Sequence, residues 1–433
     1  MLRFWKAAPM LEPLYAMIDQ NRAGKAASLV SVCSAHPDVL RASLNWAERR
    51  DLSIIVETTS NQVNQDGGYT GLTPQAFADD LRARADEQGV SWDRIILGGD
   101  HLGPQAWKAF DADTAMAKSK TMVEGYVEAG FKKIHLDCSQ ACAGDAEPLS
   151  DAIVAERSAV LAAACEAAST GEEPVYIIGT EVPIPGGATE DAPEDHDDTL
   201  APTKPEAAAE TLQAHADAFE GHGLTGLLNR VVGLVVQPGV EFLPMGLHAL
   251  PEDRDPKLRE VALSWPRLVL EAHSTDYQKP AVFRRLAELG FGFQKVGPAL
   301  TFAARQALYA LDQALAYQGR SVGLFDVMEE VMLADPSHWK SHHAADDAIA
   351  RHFGLSDRIR YYWNTPAAQS SVAEVRNRVR AESLPDPLLR QVFGMDVLDR
   401  AAHLDGTLDQ RLIDASIELA LDPYDLTRVE RIS

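Results

Sequence analysis

The chain has 433 residues, 46% hydrophobic and 24% charged, the proportions of a globular protein with room for one large domain plus additions. Its 64 acidic residues against 40 basic ones leave a net charge of −24, which argues against a nucleic-acid partner, because phosphate backbones are held by clustered Lys and Arg. Four cysteines are too few for a disulfide scaffold, and no apolar run reaches the ~18 residues of a membrane helix, so no membrane partner is expected.

The opening MLRFWKAAPM carries charge but no long apolar core, so it does not read as a secretory signal, and a cytoplasmic location is expected. Short β-branched runs then recur: Ser28 to Cys33, Ser53 to Thr58, Arg94 to Gly99 and Lys132 to Asp137. Four more follow, at Pro174 to Gly179, Val231 to Gln237, Arg267 to His273 and Phe291 to Gly297. Their near-continuous apolar character suits strands buried on both faces. Helical stretches separate them. TPQAFADDLRARADEQG has Thr73 as N-cap, Pro74 at the first helical position and Gly89 as a stop. In DAIVAERSAVLAAACEAAS, Val154, Leu161, Cys165 and Ala168 share one face, which makes Cys165 a core residue.

Eight strand-then-helix units in series predict an α/β fold, a (β/α)8 TIM barrel over residues 1–325. Residues 326–433 read as a C-terminal helical extension packed on the barrel, with SDRIRYYW, Ser356 to Trp363, as its densest aromatic patch. No glycine-rich dinucleotide loop follows the first strand, and no Walker, H-E-x-x-H or G-x-S-x-G motif occurs, so no nucleotide cofactor is expected. Two insertions stand out, NQVNQDGGYTG after the second strand and PIPGGATEDAPEDHDDTLAPTKP after the fifth. The second is a surface loop, a candidate lid, whose acids either bind a cation or simply face solvent. Cys138 and Cys142 are spaced for half a zinc site, but no second Cys/His pair with finger spacing accompanies them.

Barrel chemistry collects where the parallel strands end. The ends offer Ser34 and His36, then Glu57, Asn61 and Gln62, then Asp100 and His101, then His135, Asp137 and Ser139. The later ends offer Glu181, Gln237, then Glu271, His273 and Asp276, and finally Lys295. So many polar groups are costly in a packed core and mark a functional mouth. Single residues stay open at this point: His135 is either a hydrogen-bonded core histidine or part of the site. Lys295 is a Schiff-base amine, a phosphate ligand or an ion-pair partner of Glu271.

The motifs SVCSAHP, ETTSNQVNQDGGYTG, ILGGDHLGP, GFKKIHLDCS, IGTEVPIPGG, VVQPGVEF, EAHSTDYQ, KVGPALTFA and SDRIRYYW resemble the Z-type (GatZ/KbaZ) subunit family of class II D-tagatose-1,6-bisphosphate aldolase. The resemblance implies an aldolase-type barrel, and an expected role in tagatose or galactitol catabolism as an oligomeric, non-catalytic subunit that supports a separate catalytic aldolase subunit. Some members have carried a tagatose 6-phosphate kinase label; without a phosphate-cradling glycine motif, kinase activity is not expected here. Wider relatives are metal-dependent 4-epimerases of ketohexoses or tagaturonate.

By the same resemblance, Asp100 and His101 match the proton-moving Asp and the zinc His of class II aldolases, and His273 matches a further zinc ligand. Gln237 stands where those enzymes have another histidine. Ser274, Thr275, Asp276 and Tyr277 replace their phosphate loop, and Asp276 would repel a phosphate. The metal-and-carboxylate half of the site is therefore expected to survive and the bisphosphate half to be degraded. The expected metal is divalent, zinc by analogy, held by His101, His273 and Gln237. Asp100, Glu181 and Asp276 are the candidate acid–base groups, and Ser34, Asn61, Gln62, His135, Asp137 and Lys295 the candidate contacts to a ketose sugar or sugar phosphate. Three readings follow: a helper subunit, a ketose 4-epimerase working by retro-aldol cleavage and re-addition, and a scaffold with a vestigial site.

Overall fold

A computed structural model of the chain describes residues 10–180, 200–344, 346–381 and 383–426. Eight parallel strands form a closed barrel: β1 (Leu29–Cys33), β2 (Ile54–Thr59), β3 (Ile95–Leu102), β4 (Lys133–Leu136), β5 (Val175–Gly179), β6 (Val231–Val235), β7 (Val269–Ala272) and β8 (Phe291–Val296). β1 pairs with both β2 and β8, which closes the cylinder and leaves no edge. The fold is the expected (β/α)8 barrel. The eight apolar runs are its strands, and each is buried over nearly its whole length.

The helix start and stop signals act as read. In the helix Pro74–Gln88 the Thr73 side chain accepts from the Ala76 N–H, and Gly89 ends the helix at φ 69°. Cys165 is buried in the helix Asp151–Ala168 and belongs to the core. Cys138 is also buried, which pushes its thiol up to about 12, and the His/Cys/carboxylate cluster found among the described residues contains neither Cys138 nor Cys142.

Two elements went unforeseen. The helix Glu12–Arg22 precedes β1, and its Leu14, Met17 and Ile18 pack with the inward-facing Ile55, Ile96, Val175, Ile177, Val269 and Phe293, plugging one end of the barrel. Burying three such side chains is worth about 2 kcal/mol each. A short hairpin pairs Glu241–Phe242 with Leu247–His248 after β6.

The strand period of two explains where the site lies. Along each of several strands the inward positions run from apolar to ionisable toward the C-terminal end. Ile55 leads to Glu57, Ile96 to Asp100, Val269 to Glu271 and Phe293 to Lys295, while on β4 both Lys133 and His135 are ionisable. Gly98 stands opposite Glu57 across β2 and β3. A Cβ there would come within 2.8 Å of the glutamate side chain, so glycine makes room for an inward carboxylate.

After the helix Pro298–Tyr317 the chain is helical, as expected, with longer segments at Leu324–Ala334, Pro366–Ala381 and Leu408–Leu421. The last of these packs on the barrel helices Pro37–Arg50 and Pro298–Tyr317 and is pinned by Arg41 to Asp414 at 2.6 Å and by Arg49 to Glu418. Among the described residues no helix is long and apolar enough to cross a membrane.

Candidate active site

The C-terminal strand ends surround a cavity of about 250 Å³, the scale of a small metabolite. Ser34, Asn61, Gln62, Asp100, His101, Asp137, His273, Asp276 and Lys295 all line it. Of the other predicted site residues, His135 is fully buried but belongs to the cluster described next, Gln237 does not line the cavity, and Glu181 lies outside the described residues, as does most of the acidic insertion.

Asp100, His101, His135 and His273 each offer a donor atom within 4.8 Å of the others. Every imidazole in the group is held by an acceptor of its own. His101 Nδ1 lies 2.7 Å from Asp137 Oδ2, and His273 Nε2 lies 2.9 Å from Glu271 Oε1. His135 Nε2 lies 2.9 Å from the Gly179 carbonyl. A carboxylate or carbonyl can only accept, so each of these nitrogens carries its proton, and the other nitrogen of each ring is the one chemistry leaves to bind an ion. His101 reaches its position at φ 46°, a left-handed conformation costing about 1–2 kcal/mol that histidine adopts more readily than most residues. β3 and β4 also slip register between Gly99 and Leu102, next to this residue.

Two features show that this donor set fits a divalent cation. His135 Nδ1 sits 2.9 Å from Asp100 Oδ1, two lone-pair-bearing atoms held together with no proton between them once His135 Nε2 carries the ring's proton, and only 3.2 Å from the His101 backbone nitrogen. The buried charges are also unbalanced. Asp100, Asp137, Glu57 and Glu271 supply four carboxylates, while Lys133 and Lys295 supply two ammonium groups. Two positive charges would bring that cluster to neutrality.

Burial opposes protonation of His101, but Asp100 and Asp137 outweigh it and raise its pKa, so a cation bound there would displace a proton from that ring. Burial and the Lys295 charge push His273 down to about 3, which keeps it neutral as a ligand must be. Burial opposes charge on Asp100, but His101, Lys295 and His135 outweigh it and hold the carboxyl well below its usual range. Burial likewise disfavours the Lys295 ammonium, and Asp100, Glu271 and Glu57 more than offset it. Lys295 is thus an ion-pair partner of three carboxylates, and the Schiff-base and phosphate-ligand readings fall away, since the first needs a neutral amine and the second an uncommitted one.

Gln237 departs from the expectation set for it. Its Oε1 accepts the N–H groups of Gly239 at 2.8 Å and Val240 at 3.0 Å, so the amide oxygen shapes the turn after β6. His135 stands in the metal-competent group in its place. Asp276 does line the cavity, but its Oδ1 also accepts from Gly297 N at 3.0 Å and Ala299 N at 2.8 Å, at the start of the helix after β8. Burial raises its pKa to about 6 despite those bonds.

Part of the wall comes from the C-terminal extension, which the sequence analysis did not place at the site. Ser356, Arg358, Arg360, Tyr361 and Trp363 all face the cavity. Asp357, between them, accepts from Arg305 Nε at 3.0 Å and Thr301 Oγ1 at 2.6 Å on the helix after β8, and Tyr277 OH donates to Leu355 O at 2.6 Å. The signal was present in SDRIRYYW as two arginines beside three consecutive aromatic residues.

Comparison with known proteins agrees with this architecture. A curated relative from Agrobacterium fabrum (strain C58 / ATCC 33970), named D-tagatose 6-phosphate 4-epimerase, is 43% identical over 414 residues, 93% of this chain and 95% of the relative. A crystal structure named as a probable tagatose 6 phosphate kinase from Sinorhizobium meliloti 1021 superposes with a TM-score of 0.82 at 42% identity, covering 92% of this chain and 99% of that one. The family model described as D-tagatose-1,6-bisphosphate aldolase subunit GatZ/KbaZ-like matches residues 14–428, and the chain belongs to that family.

Proposed function

We propose that the chain is a divalent-metal-dependent ketose 4-epimerase that acts on a ketohexose phosphate by breaking and re-forming the C3–C4 bond. The observation that carries this reading is the complete donor set, in which each of three histidines keeps its own orienting acceptor. A relic site has no need of three such partners. The name of the Agrobacterium relative supports the choice of sugar, D-tagatose 6-phosphate.

His101, His135 and His273 would hold the ion, with Asp100 beside them left as the base, and imidazole suits zinc. Bound there, it would supply Lewis acidity at the ketose carbonyl. Asp100 takes the C4 hydroxyl proton as general base. The oxygen's electron pair becomes the C4 carbonyl bond, and the C3–C4 pair passes into an enediolate over C2 and C3. The three-carbon aldehyde turns about C4–C5 and presents its other face. C3 attacks again, and the new O4 alkoxide takes its proton from protonated Asp276; afterwards Asp100 gives its proton to solvent and Asp276, whose pKa is about 6, takes one back, which restores both groups. Ser34, Asn61 and Gln62 offer hydrogen bonds to the sugar hydroxyls at the cavity wall. Asp137 orients His101 rather than touching the sugar.

A second reading, an auxiliary subunit of tagatose-1,6-bisphosphate aldolase, is favoured by the family description. It shares the first bond cleavage, but the work would depend on a partner chain. The two separate when the purified chain is given D-tagatose 6-phosphate alone. Formation of D-fructose 6-phosphate supports the epimerase. No turnover alone, with cleavage of tagatose-1,6-bisphosphate rising only when a class II aldolase subunit is added, supports the helper.

A further inference from the structure

TIM barrels commonly bind phosphate at the loops after the seventh and eighth strands, on the N-terminus of a helix. That place is taken here. The first free N–H groups around the helix Pro298–Tyr317 donate to the Asp276 carboxylate, so a phosphate there would meet a like charge. The opposite chemistry arrives from the extension. Arg358 and Arg360 line the same cavity, are half-buried, and among the described residues neither forms an ion pair. Arg358 Nη1 donates to the His338 carbonyl at 3.1 Å, and its buried Nε has no partner. Arg360 donates to the Ser356 carbonyl, to the Asp357 carbonyl at 3.2 Å and to Tyr361 OH at 2.9 Å. Burial opposes charge on Arg360, but Tyr361, Tyr69 and the Asp357 carboxylate outweigh it, whereas no carboxylate acts on Arg358, so its partial desolvation beside a second cation is unfavourable unless an anion joins it. Burial and the charge of Arg360 accordingly lower Arg358 to about 10. Asp357, clamped by Arg305 and Thr301, fixes the backbone immediately before the two arginines.

We propose that Arg358 and Arg360 form the phosphate site of this cavity, so that the C-terminal extension, and not the barrel's own loops, holds the substrate's anion. The identity of the ester rests on the epimerase reading; the anion site rests on the arginine pair alone. Two guanidinium groups match the charge of a phosphate monoester, and their planar forks of N–H donors suit its several acceptor oxygens. In a ketohexose 6-phosphate the phosphate stays on the three-carbon aldehyde after the C3–C4 bond breaks. An anchor at that end keeps the fragment bound while it turns, and separates epimerisation from release.

The test begins without turnover. Inorganic phosphate is titrated into the wild-type chain and into Arg358→Gln and Arg360→Gln, with binding read by 31P NMR. The wild type binds, and each variant binds at least about tenfold more weakly, the scale of one lost charged hydrogen bond. Kinetics then compare D-tagatose 6-phosphate, D-tagatose and D-tagaturonate. Each variant's kcat/KM preference for the phosphorylated over the unphosphorylated ketose falls by about a hundredfold. The share of turnovers ending in free glyceraldehyde 3-phosphate rises. Arg358→Lys and Arg360→Lys, which keep charge and length, cover the case in which a Gln variant misfolds. The proposal is overturned if wild type does not bind phosphate, if the variants bind it unchanged, if both ketoses lose activity equally, or if the uronate is preferred to the phosphate ester. Arginine-dependent phosphate binding without any epimerisation would instead refute the epimerase reading and leave the anion site standing.

Discussion

The Nδ1 of His101 lies 2.7 Å from Asp137 Oδ2, and this contact decides which nitrogen of His101 faces the cluster. Burial disfavours charge on Asp137, but the bond and charge from His101 outweigh it and hold the carboxyl below its usual range, so it accepts and never donates at neutral pH. Carboxylate–histidine pairs of this kind fix the tautomer and raise ligand basicity. Asp137→Asn keeps the shape and loses the charge. Its affinity for zinc is expected to drop by about 10- to 100-fold with little change in fold, read by competition against a chromophoric chelator. Unchanged affinity would remove Asp137 from the metal site.

Lys133 bridges Glu57 and Glu271 at 2.6 Å each, with all three side chains fully buried. Removing one partner of such a network leaves uncompensated charge in a medium that solvates it poorly. Lys133→Met is expected to destabilise the chain by about 3–5 kcal/mol in urea unfolding. A loss below about 1 kcal/mol would mean that water or protonation relieves the glutamates.

Asp276 gives a pH signature with a definite sign. Its folded pKa is raised from 3.8 to about 6 by burial. Between those values the native state binds more proton than the unfolded chain, so this group's contribution to stability falls as pH rises through that window. Above it the full penalty stands, about 3 kcal/mol by linkage. Asp276→Asn still offers an oxygen to Gly297 and Ala299 but cannot ionise. The stability of the variant relative to wild type is therefore expected to be greater near pH 8 than near pH 4, measured by chemical denaturation at both. An equal difference at the two pH values would show that Asp276 titrates normally.

The strands were legible because both their faces are buried, so Ile95 to Leu97 or Val231 to Val235 read as runs without ambiguity. Asp100, His101 and His273 were legible because they end such runs. His135 was ambiguous for a physical reason: inside a strand, a core histidine and a ligand look alike, and only the positions of Asp100 and the Gly179 carbonyl separate them. Gln237 misled because its place after β6 matched a ligand position, whereas its amide oxygen serves the backbone of Gly239 and Val240. Arg358 and Arg360 were missed because they come from outside the barrel, brought in by Asp357 and Arg305 across 52 residues of sequence. No periodicity records a contact of that kind.

The central claim, metal-assisted C4 epimerisation by this chain alone, is tested most directly by reconstitution. The purified chain is stripped with a chelator, zinc is added back in steps, and conversion of D-tagatose 6-phosphate to its C4 epimer is followed by 13C NMR alongside bound metal. The stripped protein is expected to show no activity, activity is expected to rise in proportion to bound ion up to one per chain, and His135→Ala is expected to lose both binding and activity. Full activity in the metal-free chain, or one tightly bound ion per chain with no epimer formed, would contradict the claim.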